Sequence, residues 1–96
     1  MDSVRDQAIS NVQIDNDRVL VTQWCFSVGA ETRWHHHCLD YIVIPDMDGC
    51  LLLETRNGHD IVELKAGKSY SRLSGVEHNV VNINDFDFSF VEVELK

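Results

Sequence analysis

Residues 45–67 read PDMDGCLLLETRNGHDIVELKAG, and turn and strand signals alternate along their whole length. Pro45-Asp46-Met47-Asp48-Gly49 is a turn, Cys50 to Thr55 a leucine-rich strand, Asn57-Gly58 a tight hairpin signal, Ile61 to Leu64 a second strand, and Lys65-Ala66-Gly67-Lys68 another turn. Asn-Gly marks the hairpin because the two central residues of a type I′ turn need positive φ, which these residues adopt at the least cost. The same spacing continues outward. Asn11 to Asp15 and Arg18 to Val28 flank Asp15-Asn16-Asp17, and Gly29-Ala30-Glu31 precedes an extended run from Arg33 to Ile44. On the far side, Ser69 to Arg72 runs into Ser74-Gly75, then come Glu77 to Val81, a turn at Asn82 to Asp85, and the apolar run Phe86 to Leu95. Turns roughly every eight to twelve residues predict an all-β sandwich or barrel, not alternating strands and helices.

Only Asp2 to Ile9 carries a trace of helical period, so residues 1–10 are expected to form an N-terminal extension, as a short helix or a frayed end, and residues 11–96 the barrel. With 96 residues the chain is one domain. It is 44% hydrophobic and 25% charged, and it has no apolar run near the roughly 18 residues that a membrane span requires. A formal net charge of -8 repels phosphate backbones and excludes a nucleic-acid partner. Cys25, Cys38 and Cys50 are an odd set, and Met1 to Ser10 carries charges where a secretory signal would be apolar. A cytoplasmic protein with small buried thiols is the expectation. In the last strand Phe86, Phe88 and Phe90 share one parity, whereas Val91, Val93 and Leu95 share the other. A β-bulge near Phe90, or burial of both faces in a barrel or dimer, would account for that.

Four of the five histidines, His35, His36, His37 and His78, fall in two short segments. Alternate residues of a strand face opposite ways, so His35 and His37 project together and His36 away. Their Cα atoms would lie about 6.6 Å apart, close enough for two imidazoles to share one ion at bond lengths of about 2.0–2.1 Å. His78 is the remaining histidine in a credible core setting for a third ligand. The competing reading is a run of solvated side chains on an exposed edge. His36 taken alone reads as a surface or interface residue, and His59 as a turn residue of the hairpin.

The segment from Gly29 to Asn82 resembles the cupin family, with both of its motifs in order. The first, G-X5-H-X-H-X3-4-E-X6-G, is matched by Gly29, His35, His37 and Gly49. The second, G-X5-P-X-G-X2-H-X3-N, is matched by Gly67, Gly75, His78 and Asn82, with Leu73 in place of the proline. The resemblance implies a single-domain jelly-roll β-barrel holding one divalent metal ion on His35, His37 and His78. More narrowly, Trp34 to Tyr41, Gly75-Val76-Glu77-His78-Asn79 and Phe88-Ser89-Phe90-Val91-Glu92 look like a group of short bacterial cupins, some labelled amino-acid or β-alanine degradation proteins. The family's glutamate is missing, for Tyr41 and Ile42 stand at its two permitted positions. Tyr41 would share the parity of His35 and His37, which makes it a candidate pocket wall or a weak catalytic candidate.

Three neutral imidazoles leave a divalent charge uncompensated, so the pocket is expected to take a small anionic ligand. The resemblance extends to three-histidine dioxygenases, which makes Fe(II) the leading metal. Zn(II), Ni(II) or Mn(II) would suit hydrolysis, isomerisation or plain binding. A noncatalytic cupin that binds a small anion is the alternative function. Arg33 shares the ligand parity and could meet a substrate carboxylate or sit at the rim. Tyr70, Arg72 and Asn82 are further pocket candidates, the acidic residues are expected to be surface charge, and the family implies a homodimer.

Overall fold

The computed structural model describes residues 4–96. Among these, nine strands and no helix are found: β1 (Ile9–Asp15), β2 (Val19–Phe26), β3 (His35–His36), β4 (Tyr41–Pro45), β5 (Gly49–Thr55), β6 (Gly58–Leu64), β7 (Tyr70–Arg72), β8 (Glu77–Asn82) and β9 (Phe88–Leu95). They build a five-stranded sheet in the order β1-β2-β9-β4-β7 and a four-stranded sheet in the order β3-β8-β5-β6. Every strand pairing is antiparallel. From β2 to β9 each strand passes to the other sheet except at the β5-β6 pair, which is the jelly-roll arrangement, and the all-β expectation holds.

The hairpin joins β5 to β6 where the sequence places it, but the turn is shifted by one residue: Thr55 stands opposite Gly58, so Arg56 and Asn57 are the central residues, and of the Asn57-Gly58 pair only Gly58 has a positive φ, 125°. The core fills the gap between the sheets. Phe26, Val43, Phe88 and Phe90 descend from the five-stranded sheet onto Leu51, Leu64 and Val80 from the other. Phe26 and Phe90 meet in a tilted pair with centroids 5.5 Å apart. Each such side chain contributes about 1.5–3 kcal/mol by leaving water, and this packing holds the sheets in register.

Three further expectations are corrected. The run Arg33 to Ile44 is not one strand: β3 belongs to the four-stranded sheet and β4 to the five-stranded one. Arg33 has φ 76°, outside the strand region. After β3 the His37 backbone bonds to Val76 and Gly75, and the Asp40 side chain accepts a bond from the Ser74 amide, which carries the chain across from one sheet to the other. Of the short helix or frayed end expected over Asp2 to Ile9, the helix has no counterpart in residues 4–9, and Asp2 and Ser3 lie outside the described residues. Tertiary contacts override the weak local period there. The Ala8 amide donates to the Glu31 carbonyl, the Glu31 amide donates to Asp6, and Ala8 is buried. Ile9 and Ser10, placed in the extension by the sequence, already belong to β1.

The third correction concerns β9, which has no bulge: its register against β2 is unbroken from Val19 opposite Leu95 to Phe26 opposite Phe88. The irregularity lies in β1, between Val12 and Ile14. The inward face of β9 therefore continues from Phe88 and Phe90 to Glu92 and Glu94, while Val91, Val93 and Leu95 face outward.

Candidate metal centre

His35 in β3 lies directly opposite His78 in β8, and His37 follows immediately after β3. Strand alternation turns His35 and His37 to the same side, as the sequence predicts. The His37 amide donates to the Val76 carbonyl and its carbonyl accepts from the Gly75 amide, which fixes that residue against the approach to β8. The three rings meet inside the barrel. Nε2 of His37 lies 3.0 Å from Nε2 of His35 and 3.2 Å from Nε2 of His78. His37 and His78 are buried, and His35 is half-buried.

The protonation state of this cluster follows from its surroundings. Nδ1 of His35 lies 2.8 Å from the Arg33 carbonyl oxygen, an acceptor, so the ring donates there and its Nε2 carries a lone pair. Burial, aided by the field of His35, lowers the His37 pKa to about 4, and the same causes lower that of His78 to about 3. Both rings are neutral at physiological pH. One proton on His37 Nε2 cannot serve both close nitrogens, whereas a cation at their focus would satisfy all three. Ligands about 2.1 Å from an ion and about 90° apart lie about 3.0 Å from each other, so the observed spacing fits a single ion held on one face. Three imidazoles accept Fe, Zn or Ni more readily than Mn, which prefers oxygen donors, and ligand type alone does not choose among the first three.

Beside the histidines is a cavity of about 140 Å³ between the sheets. Tyr41, Tyr70, Arg72, His78 and Glu92 line it together with apolar side chains such as Val43, Leu53, Val62 and Val80. Three of the five pocket residues expected from the sequence are therefore brought together: Tyr41, Tyr70 and Arg72. Tyr41 arrives by a different route, since it sits on β4 in the opposite sheet. There it stacks on the His37 ring, with centroids 3.9 Å apart and planes at 18°. Burial and then the field of Glu92 push its hydroxyl up to about 12. Tyr70 is half-buried, and burial raises its pKa also. The exposed Arg72 guanidinium lies 4.7 Å over the Tyr70 ring.

Arg33 and Asn82 do not line the cavity. Arg33 is exposed, and what it gives the site is its carbonyl oxygen on His35. Asn82 is fully buried at the other end of β8, where its side chain donates to the Ser27 and Phe86 carbonyls and accepts from the Asn84 amide. It ties loops together. His36 and His59 are exposed, the latter opposite Glu54 in the hairpin.

The residue that sequence reasoning missed is Glu92. The sequence reads it as surface charge like the other acids, yet it is 7% exposed. Burial, followed by the neighbouring Glu94, raises its pKa to about 7. Ligand atoms of His37, Glu92 and Glu94 lie within 4.8 Å of one another. The signal was present in β9, where Glu92 and Glu94 keep the parity of the buried Phe88 and Phe90.

Comparison with known proteins agrees with this fold. No protein-family model matches the chain. The chain is 51% identical over 94 residues to the β-alanine degradation protein BauB of Pseudomonas aeruginosa, covering 98% of this chain and 99% of that protein. The crystal structure of a cupin domain from Bordetella pertussis shares 53% identity and superposes with a TM-score of 0.97, over 99% of both chains. A Klebsiella pneumoniae protein with a double-stranded β-helix domain, 23% identical with a TM-score of 0.76 over 98% of this chain and 81% of that one, shows the fold alone.

Proposed function

The chain belongs to the cupin family, and on that premise we propose that it holds one divalent metal ion on His35, His37 and His78 and presents it to a small metabolite in the adjoining cavity. The observation that supports this most directly is the meeting of three Nε2 atoms at 3.0 and 3.2 Å, two of them on the His37 and His78 rings that burial keeps neutral. Fe(II) held by His35, His37 and His78 would supply oxygenase chemistry toward a small metabolite in the cavity. The protein's own groups prepare the site. The Arg33 carbonyl holds the proton of His35 on Nδ1, so Nε2 faces the focus. Tyr41 fixes the plane of His37 by stacking. Apolar walls exclude water, and Arg72 offers a carboxylate a positive charge at the cavity.

The name of the Pseudomonas relative supports a role in the breakdown of a small metabolite. Three free cysteines support a reducing compartment, the cytoplasm. No described helix is long and apolar enough to cross a membrane. A homodimer belongs to the same reading, supported by the uncharged outer face of the five-stranded sheet.

The test is elemental analysis of untagged protein, followed by oxygen-uptake screening of the iron-loaded form. Wild type is expected to carry about one ion per chain. His35→Ala, His37→Ala and His78→Ala should each weaken metal binding by well over tenfold, since even the loss of a ligand's hydrogen-bond partner costs about 10–100-fold. His36→Ala and His59→Ala should leave it unchanged. Full metal retention in His78→Ala refutes the three-histidine site. Stoichiometric iron with no oxygen uptake across small carboxylates would move the assignment to a binding protein.

A further inference from the structure

Glu92 is a buried carboxylate without a counter-charge. It comes from β9 into the cavity wall and is 7% exposed. Among the described residues, no lysine, arginine or histidine nitrogen pairs with it. Acidic side chains are rarely buried unless paired, because an isolated charge loses its hydration and gains nothing in return. Glu94 beside it adds like charge and can accept a hydrogen bond only from the protonated form of Glu92, so it is no counter-charge. A cation supplied from outside would serve as one. The cavity that Glu92 faces is about 140 Å³ and walled mostly by aliphatic and aromatic side chains, and an apolar cavity of about 150 Å³ accepts a molecule of benzene size, roughly six heavy atoms. The occupant is therefore small, with a short apolar stretch between its polar ends.

The second end is set by the histidines. Glu92 and His37 offer ligand atoms within 4.8 Å of each other, so one small molecule can touch both regions. A plain carboxylate entering here would place its charge near that of Glu92, while a plain amine would meet the metal-binding end unpaired. A zwitterion complements both. We propose that Glu92 recognises the ammonium group of the ligand, so that the site takes a small amino carboxylate with its ammonium on Glu92 and its carboxylate toward His35, His37 and His78. The carboxylate end rests on the metal-binding reading above; the ammonium end rests on Glu92 alone.

Calorimetric titrations with β-alanine, propionate and propylamine separate the two. Each compound is titrated into wild type and Glu92→Gln, metal-free and loaded with Zn(II), and bound Zn(II) is measured in every sample. Zn-loaded wild type is expected to bind β-alanine at least tenfold more tightly than propionate, the scale of one buried charge-assisted hydrogen bond. Metal-free wild type should bind propylamine, and Glu92→Gln should weaken that by tenfold or more while keeping its Zn(II) and binding propionate at least as tightly as wild type, because the like charge is gone. Equal binding of β-alanine and propionate by wild type overturns the proposal without recourse to any variant. Loss of Zn(II) from Glu92→Gln comparable with that from His78→Ala overturns it too, because Glu92 would then be a metal ligand. Wild type that binds propylamine through Glu92 but takes up no Zn(II) would uphold the ammonium site and refute the metal reading.

Discussion

His37, His78 and Glu92 are three buried titratable groups whose pKa values are displaced in opposite senses, and the displacement has a measurable consequence. The histidines, at about 4 and about 3, are neutral in the folded chain where an unfolded chain would protonate them. Their contribution to stability is present above about pH 6.5 and is lost as the pH falls through that range toward the folded values. Glu92, raised to about 7, works the other way: its contribution is present at low pH and is lost as the pH rises through about 7. Between about pH 5 and 6 the unfolded metal-free chain holds two protons on these groups and the folded chain one, so stability rises with pH by about 1.4 kcal/mol per unit from this set. Glu92→Gln removes the opposing proton and should steepen the rise by a further ~1.4 kcal/mol per unit. Urea unfolding of both metal-free proteins at several pH values measures this. Parallel curves would show that Glu92 is ionised at these pH values in the folded chain.

At the scale of the element, β5 begins at Gly49, and the reason is steric. A Cβ there would stand 2.6 Å from Cε1 of Phe88 and 3.0 Å from Oδ1 of Asn84. Phe88 is fully buried, and Asn84 is held by bonds to both the amide and the carbonyl of Cys50, so neither can move away cheaply. Gly49→Ala should cost about 1–3 kcal/mol through overpacking, visible as a lower urea midpoint at unchanged m-value, and a shift too small to measure would mean that the ring relaxes. Gly49 was legible as a turn glycine, but its contact with β9 was not, because it joins residues 39 positions apart. The same limit explains the rest. The β5-β6 hairpin was legible because its turn chemistry is local. The convergence of His35 and His37 was legible because strand alternation is local too, and the motif spacing brought in His78. The crossing at His37–Asp40 was not, since its backbone bonds go to Ser74, Gly75 and Val76. Tyr41 reached the pocket from the opposite sheet, and Arg33 left it because a positive φ breaks the parity that had placed it there. Glu92 was hidden because the sequence was read for apolar parity, and a carboxylate in phase with buried phenylalanines looks like the end of a buried face.

At the scale of the whole molecule, charge is unevenly spread. The outer face of the five-stranded sheet presents Val19, Val21, Ile42, Ile44, Val91 and Val93, in register across β2, β9 and β4. No charged residue stands on the outward parity of these three strands, in a chain with a net charge of -8. Two copies that repel each other elsewhere can meet here without bringing carboxylates together, and a flat apolar face complements itself across a two-fold axis. Val93 sits between Val21 and Ile42, near the centre of this face. Val93→Lys would bury two ammonium groups near one another at such an interface while leaving each barrel core untouched. Light scattering coupled to size exclusion is expected to give twice the chain mass for wild type and the single-chain mass for Val93→Lys, with unchanged far-ultraviolet circular dichroism and unchanged metal content. Screening should add a second signature. If the copies associate through apolar contact against a background of like charge, the dimer should tighten as salt is raised, because exposed carboxylates repel across distances that salt shortens. A wild-type monomer at all salt concentrations, or a Val93→Lys dimer of undiminished stability, would place any self-association on another surface.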